Sequence, residues 1–271
     1  MLICVAPFQW DYEPILTVER NRFLRMQMIQ RISTGISGLD ELIEGGFPAR
    51  RVLLVIGGPG SGKTIFAAQF LVNGALSSTG KVLYVSLEEK KDDFYREMLR
   101  FGWDLAKLER EDRFVFADGT ETMGRPPPQP SVLPRFGRGD SSSPLLGLIE
   151  FEIQQVHPER LVIDPISSLA LQFPDLIDRR GAILKLVSLL ASSGATSIMT
   201  LELRGRDSAR EVQLEEYLSH GVVILRSMKS GARVARAIVV EKMRETEVDP
   251  NPRPYRIERS GIVVFPKESV M

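Results

Sequence analysis

The chain has 271 residues, of which 43% are hydrophobic, so it can bury a sizeable core as one large domain or two small ones. Lys plus Arg and Asp plus Glu number 35 each, and this balance argues against a protein that coats nucleic acid through bulk charge. One cysteine and two histidines exclude a disulfide framework and a histidine-rich zinc centre, and they suit a reducing compartment.

The N-terminal residues carry no targeting signal. No apolar run is long enough to span a bilayer, and residues 1–10 lack the charged start and cleavage site of a signal peptide. We therefore expect a cytoplasmic protein without a membrane partner. Residues 1–29 are interpreted as an N-terminal extension, whose basic and partly apolar end favours a subunit contact or a loosely held segment over a membrane-surface helix, and residues 30–271 as one domain.

The first predicted elements are a short helix and a buried strand. Ser37 to Asp40 has the spacing of a capping box, which predicts a helix that Gly45 and Gly46 end. The apolar run Val52 to Ile56 then predicts a buried strand.

The residues after this strand have the spacing G-x-x-x-x-G-K-T of a phosphate-binding loop. Its backbone N–H groups are predicted to cradle phosphates, Lys63 to reach the terminal phosphates in a catalytic role, and the Thr64 hydroxyl to ligate Mg²⁺. Helical spacing of the apolar residues that follow predicts a helix from about Gly62, which disfavours a glycine-rich turn without a ligand. The predicted nucleotide-binding residues are Gly58, Pro59, Gly60, Ser61, Gly62, Lys63 and Thr64.

Strands and helices then alternate along the chain. Strands are predicted at 81–87, 113–117, 160–164 and 195–200, and helices at 90–100, 145–156, 175–193 and 211–218. This order predicts an α/β fold with a mostly parallel sheet flanked by helices and with ligands at the carboxyl ends of the strands. Short strands at 221–226, 233–243, 254–258 and 262–265 predict an antiparallel finish, and residues 119–144 a proline-rich surface loop.

Acidic residues end two of the predicted strands. Asp164 closes an apolar strand in the manner of a Walker B acid, which would hold Mg²⁺, although an N-capping role is the alternative. Glu88 and Glu89 follow another strand, where one carboxylate could act on the attacking water. We prefer Glu88, because alternating side chains let only one of the pair reach the water. A helix N-terminal acid pair is the alternative.

Two cations stand late in the chain. Lys242 and Arg244 are two residues apart on a predicted strand and so share a face, opposite Glu241 and Met243. Such a face can grip phosphate, although on its own it is more often a solvated strand face.

The motifs together resemble KaiC-like ATPases of the RecA superfamily. The resemblance covers about residues 31–266 and rests on motifs in the family's order, which read STGISGLDEL from Ser33, GGFP from Gly45, the phosphate loop, YVSLEE from Tyr84, the Asp164 strand and Lys242-Met243-Arg244. It implies a RecA-like domain that binds ATP with Mg²⁺ and hydrolyses it slowly, with Glu88 or Glu89 as catalytic carboxylate.

The resemblance also implies an assembly. It implies a ring, commonly a hexamer, in which Lys242 and Arg244 reach the neighbouring subunit's ATP, and a signalling or regulatory role with an unidentified protein partner. The sequence departs from the family's K-[ML]-R-G-T-x-H pattern, because Glu245 stands at the glycine and Val248 at the histidine.

Two other functions stay open. A RadA-like DNA-binding relative is motivated by Arg204, Arg206 and Arg210, but the balanced charge and the lack of a helix-hairpin-helix domain disfavour it. A scaffold that binds ATP without turnover is the other.

Overall fold

The structure is a computed structural model that describes residues 29–123, 143–173, 175–203, 212–230 and 233–270. The predicted extension at 1–29 lies almost entirely outside these residues, as does most of the proline-rich segment, and Arg204, Arg206 and Arg210 lie outside them as well. Within the described residues, no helix combines the length and apolarity needed to cross a bilayer.

The described part of the chain alternates strands and helices, as predicted. The strands are β1 (Arg31–Ile32), β2 (Phe47–Pro48), β3 (Val52–Gly57), β4 (Val82–Ser86), β5 (Phe114–Asp118), β6 (Arg160–Asp164), β7 (Thr196–Glu202), β8 (Gly221–Ser230), β9 (Arg233–Met243), β10 (Arg253–Glu258) and β11 (Gly261–Val264). The helices are α1 (Leu39–Leu42), α2 (Lys63–Ser77), α3 (Lys91–Leu99), α4 (Leu105–Arg110), α5 (Thr120–Met123), α6 (Pro144–Val156), α7 (Leu169–Gln172), α8 (Leu176–Ser192) and α9 (Leu214–Leu218).

A nine-stranded sheet in the order β11-β10-β9-β8-β3-β7-β6-β4-β5 organises the fold. The strands from β8 to β5 in this order are parallel, and β9, β10 and β11 add antiparallel pairs at one side. The mostly parallel sheet with an antiparallel C-terminal extension is therefore confirmed. The strand predicted at 221–226 is corrected, because β8 pairs in parallel with β3 before the antiparallel part begins.

Two apolar layers cover the sheet. Leu53 and Val55 of β3 face one layer with α2 and α3, whereas Leu54 and Ile56 face the other with α6 and α8. A strand buried on both faces reads as a continuous apolar run, which is why the central strands could be found from sequence.

Two local predictions are wrong. The capping box does not form, because Gly38 caps α1 in the left-handed region and Asp40 instead accepts hydrogen bonds from the Ser33 hydroxyl and from the backbone N–H and hydroxyl of Thr34. The loop predicted at 119–144 contains helix α5, which follows an Asp118 carboxylate that accepts from the N–H and hydroxyl of Thr120.

Candidate active site

The phosphate loop connects the end of β3 to the start of α2. Gly60 and Gly62 have φ angles of 71° and 91°, a left-handed backbone that favours glycine. The Ser61 N–H donates to the Gly58 carbonyl at 3.2 Å, and the Phe66 N–H donates to the Gly62 carbonyl at 2.8 Å as α2 begins. The predicted loop and the helix after it are thus both present, with the positive end of a 15-residue helix directed at the loop.

The interior of the loop has the character of an anion site. An added Cβ at Gly58 or Gly60 would meet no atom within 4 Å, so the backbone there is open to a close-approaching ligand. The Ser61 hydroxyl is buried and has no hydrogen-bond partner within the structure. This hydroxyl lies beside Gly57, where an added Cβ would be 2.3 Å from it, so the loop N–H groups are the donors that phosphate oxygens would satisfy. These residues therefore fit a nucleotide phosphate.

Lys63 folds back onto the loop. Its Nζ donates to the Gly57 carbonyl at 2.8 Å and to the Gly58 carbonyl at 3.3 Å. Burial lowers the pKa of Lys63, while the nearby carboxylates of Asp164 and Glu202 oppose that shift. The ammonium group thus lies at the loop with weak neutral acceptors, which a phosphate anion would outcompete.

Asp164 is a buried carboxylate, 6% exposed, held by two hydroxyl groups. The Tyr84 hydroxyl donates to one carboxylate oxygen at 2.7 Å, and the Thr200 hydroxyl donates to the other. Burial, and then the charge of Asp164, raises the pKa of Tyr84 well above its usual value, so this hydroxyl keeps its proton. The two donors fix the direction of the carboxylate.

Glu88 and Glu89 both line the cleft next to the loop. The Ser168 hydroxyl donates to a Glu88 carboxylate oxygen at 2.9 Å. Burial, and then the charge of Glu97, raises the pKa of Glu89. The strand alternation that favoured Glu88 does not apply, because β4 ends at Ser86 and both acids lie in the bend that follows it. The choice between them stays a prediction.

Several cleft residues were missed from the sequence. The cleft is lined by Lys63, Thr64, Tyr84, Ser86, Glu88, Glu89, Asp164, Pro165 and Glu202. Tyr84 carries a signal, since it places a hydroxyl between the apolar residues Leu83 and Val85 of a buried strand, whereas Thr200, which supports Asp164, is one of several polar residues of β7 and carries none. Glu202 could have been found as a further acid at a strand end, where it pairs with Gly57 in register.

The structure does not bring Lys242 and Arg244 to the loop of the same chain. They lie where β9 ends beside the start of β8, with Met243 opposite Gly221, and this is the amino end of the parallel strands. The Lys242 ammonium donates to the Glu216 carbonyl, and burial lowers the pKa of Lys242. The predicted common face of Glu241 and Met243 is interrupted by a β-bulge, and Met243 is buried whereas Glu241 is exposed.

Glu245 occupies the position where the family often has glycine. Its φ is 61°, in the left-handed region that explains the glycine preference. Its carboxylate accepts from Arg51 at 2.5 Å, and this ion pair joins the end of β9 to the start of β3. The departure from the family pattern is thus accommodated by a local partner.

The oxygen donors of the cleft suit Mg²⁺. Among the residues that the structure describes, no group of three or more His, Cys, Asp or Glu side chains has the arrangement of a metal cage. Mg²⁺ in nucleotide sites takes one or two protein oxygens and completes its shell with water and substrate phosphates. The Thr64 hydroxyl and the Asp164 carboxylate line one cleft and match that donor set.

Comparison with known proteins agrees with this geometry. The family model described as "ATPase: KaiC" matches residues 32–269. The chain belongs to the KaiC ATPase family. It is 34% identical over 241 residues to the circadian clock oscillator protein KaiC of Synechococcus elongatus, a match that covers 89% of this chain and 45% of that protein. The chain thus spans about half the length of the clock protein.

Single-domain relatives match along nearly their whole length. A UPF0273 protein of Pyrococcus furiosus is 32% identical over 242 residues, which are 88% of this chain and 95% of the relative. The crystal structure of a KaiC-like protein from Pyrococcus horikoshii superposes with a TM-score of 0.73 at 35% identity, covering 88% of this chain and all of that one. The matched part of the chain is therefore a KaiC-type domain with a RecA-like fold, and its family is one of nucleotide-binding ATPases.

Proposed function

We propose that this protein is a slow, Mg²⁺-dependent ATPase that assembles as a ring and uses its nucleotide state for regulation. One observation carries the proposal, which is that Lys63, Thr64, Asp164, Glu88 and Glu89 converge on one cleft at the phosphate loop. A phosphate-binding cation, two oxygen ligands for a metal and two candidate bases are the groups that ATP hydrolysis needs.

Each of these residues has a role in the proposed reaction. The loop N–H groups and Lys63 bind the phosphates, and Thr64 and Asp164 hold Mg²⁺. Bound Mg²⁺ supplies positive charge that neutralises the phosphate oxygens. Tyr84 and Thr200 keep the Asp164 carboxylate oriented through their hydrogen bonds.

Glu88 or Glu89 orients the attacking water and accepts its proton. Glu88 has the better-defined position, because the Ser168 hydroxyl holds one of its oxygens. Glu89 has the raised pKa, which suits a base that must take up a proton near neutral pH. Single substitutions separate the two.

The position of the late cations supports the proposed ring. Lys242 and Arg244 lie at the end of the sheet away from the loop of their own chain. A head-to-tail contact between copies would place them at the neighbour's nucleotide, and repeating this contact closes a ring, which we propose to be a hexamer. A protein partner would then respond to the nucleotide state of the ring.

Phosphate release with ATP and Mg²⁺, recorded beside light scattering, tests the proposal. The variants are Lys63→Ala, Glu88→Gln and Glu89→Gln, with Glu150→Gln, at an exposed position of α6, as matched control. We expect slow turnover and ATP-dependent assembly in the parent and the control. Lys63→Ala should lose nucleotide binding, and one of the two Glu variants should bind ATP while turnover falls by about 100-fold or more.

Two results would overturn the proposal. ATP binding and assembly without phosphate release above the Lys63→Ala background would make the protein a nucleotide-gated scaffold. The RadA-like alternative draws on Arg204, Arg206 and Arg210, which lie outside the described residues. DNA shifted in a gel at low salt with ATP present would favour it.

A further inference from the structure

The phosphate loop is held from behind by a tyrosine near the C-terminus. Tyr255 on β10 is 2% exposed, and its hydroxyl donates to the Ser61 carbonyl at 2.6 Å. Burial raises the pKa of Tyr255, so the hydroxyl remains a donor at neutral pH. The bond joins residues 194 positions apart, so the β10–β11 hairpin touches the loop directly.

The hydrogen bond fixes the direction of one peptide group. In a planar trans peptide, the C=O and the following N–H point to opposite sides. Because the Ser61 carbonyl is directed at Tyr255, the Gly62 N–H is directed away from the hairpin. Gly62 is the N-cap of α2, where backbone N–H groups face a bound anion.

The hairpin contacts the loop at a second point. A Cβ on Gly62 would lie 2.9 Å from the Ile257 side chain, so β10 packs closely against the loop backbone. Ile257 and Tyr255 are two residues apart on β10 and therefore lie on the same face of the strand. The hairpin thus limits where the Ser61–Gly62 peptide can move.

The hairpin is attached to α2 independently of Tyr255. The Gln69 side chain donates to the Ile262 carbonyl at 3.2 Å and accepts from the Ile262 N–H at 2.7 Å. Removal of the Tyr255 hydroxyl alone would therefore leave the hairpin in place while releasing the Ser61 peptide. A variant without the Tyr255 hydroxyl can therefore test the orientation of the Ser61 peptide while the hairpin stays folded.

We propose that Tyr255 is a positioning residue for phosphate binding, which holds the Ser61–Gly62 peptide so that the Gly62 N–H points into the loop. The inference rests on the proposed nucleotide binding and deepens it. According to this inference, the Tyr255 hydroxyl strengthens binding of the phosphate groups of the ligand and does not affect binding of the nucleoside.

Calorimetric titration of Tyr255→Phe with ADP, inorganic pyrophosphate and adenosine tests the proposal, in EDTA so that no metal contributes. We expect the affinity for ADP and pyrophosphate to fall by about 5-fold, the effect of one neutral hydrogen bond, with adenosine binding unchanged. Tyr217→Phe, which removes an exposed hydroxyl, is the matched control and should bind all three ligands as the parent does.

The outcomes separate the two proposals. The parent is also titrated with ADP in the presence of Mg²⁺, and if it binds ADP neither in EDTA nor with Mg²⁺, the proposed function fails. If the parent binds both and Tyr255→Phe binds them equally well, or if it loses adenosine affinity to the same extent, the positioning role is wrong.

A second measurement does not depend on the folding of the Phe variant. We would place 3-fluorotyrosine at position 255 and record its ¹⁹F resonance during titration with pyrophosphate. The resonance should shift with pyrophosphate and not with adenosine. A resonance that stays unchanged at saturating pyrophosphate would contradict the proposal.

Discussion

The two ends of the central sheet both carry charged groups, but with opposite signs in excess. At the carboxyl end, one ammonium group, Lys63, lies among the acids Glu88, Glu89, Asp164 and Glu202. At the amino end, Arg51, Lys242 and Arg244 lie around His220, and Arg51 pairs with Glu245 while Lys242 donates to a backbone carbonyl. The carboxyl end suits a metal ion bound to nucleotide phosphates, and the amino end suits an anion from outside the chain.

The distance between the ends decides how they can work together. They are separated by the length of β3, six residues or about 20 Å at the usual rise per residue. One chain cannot therefore apply both ends to the same phosphate. Two copies in head-to-tail contact can, so the joint action of the two ends on one phosphate depends on assembly.

Mixing two inactive variants tests this arrangement and carries the largest expected effect. Glu88→Gln combined with Glu89→Gln disables the carboxyl end while ATP still binds, and Arg244→Ala disables the amino end, so each variant alone should lose phosphate release by at least about 100-fold, as expected when a catalytic carboxylate or a cation at the transferred phosphoryl group is removed. An equal mixture should regain activity, because roughly a quarter of the interfaces in randomly mixed rings combine both intact ends.

Reassembly needs a control for subunit exchange. Mixing each variant with itself under the same conditions should regain nothing. Arg244 is exposed, and its backbone N–H donates to the His220 carbonyl, so the alanine variant should fold. Full activity of Arg244→Ala alone would show that the amino end does not act on the neighbour's nucleotide.

A second prediction concerns the support of Asp164. Tyr84→Phe removes a donor from this buried carboxylate but keeps the ring, which stacks on Phe94 with centroids 4.2 Å apart. We expect the free energy of unfolding to fall by about 1–3 kcal/mol, the cost of leaving a buried acceptor without its partner. Denaturant titration measures it.

The exposed tyrosine provides the matched comparison. Tyr217 is 68% exposed, so Tyr217→Phe should leave the free energy of unfolding unchanged within about 0.5 kcal/mol. Equal stability of the Tyr84 and Tyr217 variants would mean that the Tyr84 bond contributes nothing net to folding.

The sequence predicted the carboxyl end better than the amino end, for a physical reason. The phosphate loop, Glu88, Glu89 and Asp164 follow local patterns, and parallel strands bring their carboxyl ends to one edge of the sheet. Thr200 and Glu202 were missed because β7 lies between β3 and β6, and chain order does not reveal this insertion. Tyr84 was missed because its role depends on Asp164, 80 residues away.

The positions of the charged residues at the amino end depend on how the strands pair, which local sequence patterns do not specify. The direction of β9 against β8 places Lys242 and Arg244 away from the loop, and the motif that contains them does not specify it. The capping-box prediction failed for a similar reason. Its Asp40 has partners in Ser33 and Thr34, while Gly38 faces the Val264 carbonyl, so that an added Cβ would lie 2.2 Å from that oxygen.

The smallest predicted effect concerns the titration of His220 at the amino end. The Val52 N–H donates to His220 Nδ1 at 3.0 Å, which requires this nitrogen to be unprotonated. Burial, and then the charges of Arg244 and Arg51, lowers the pKa of His220. The folded state therefore binds this proton less readily than the unfolded chain, whose histidine pKa is about 6.5.

The sign of the pH effect follows from that difference. The stabilisation from His220 is present above about pH 6.5 and is lost as the pH falls towards the lower pKa of the folded state. His220→Asn offers an acceptor near Nδ1 without titrating, so its unfolding free energy should fall less between pH 7.5 and 5 than that of the parent. Arg244→Ala should also reduce the fall in unfolding free energy between pH 7.5 and 5, since a cation that opposes protonation of His220 is gone. A pH dependence that is unchanged in both His220→Asn and Arg244→Ala would contradict the electrostatic difference between the two ends.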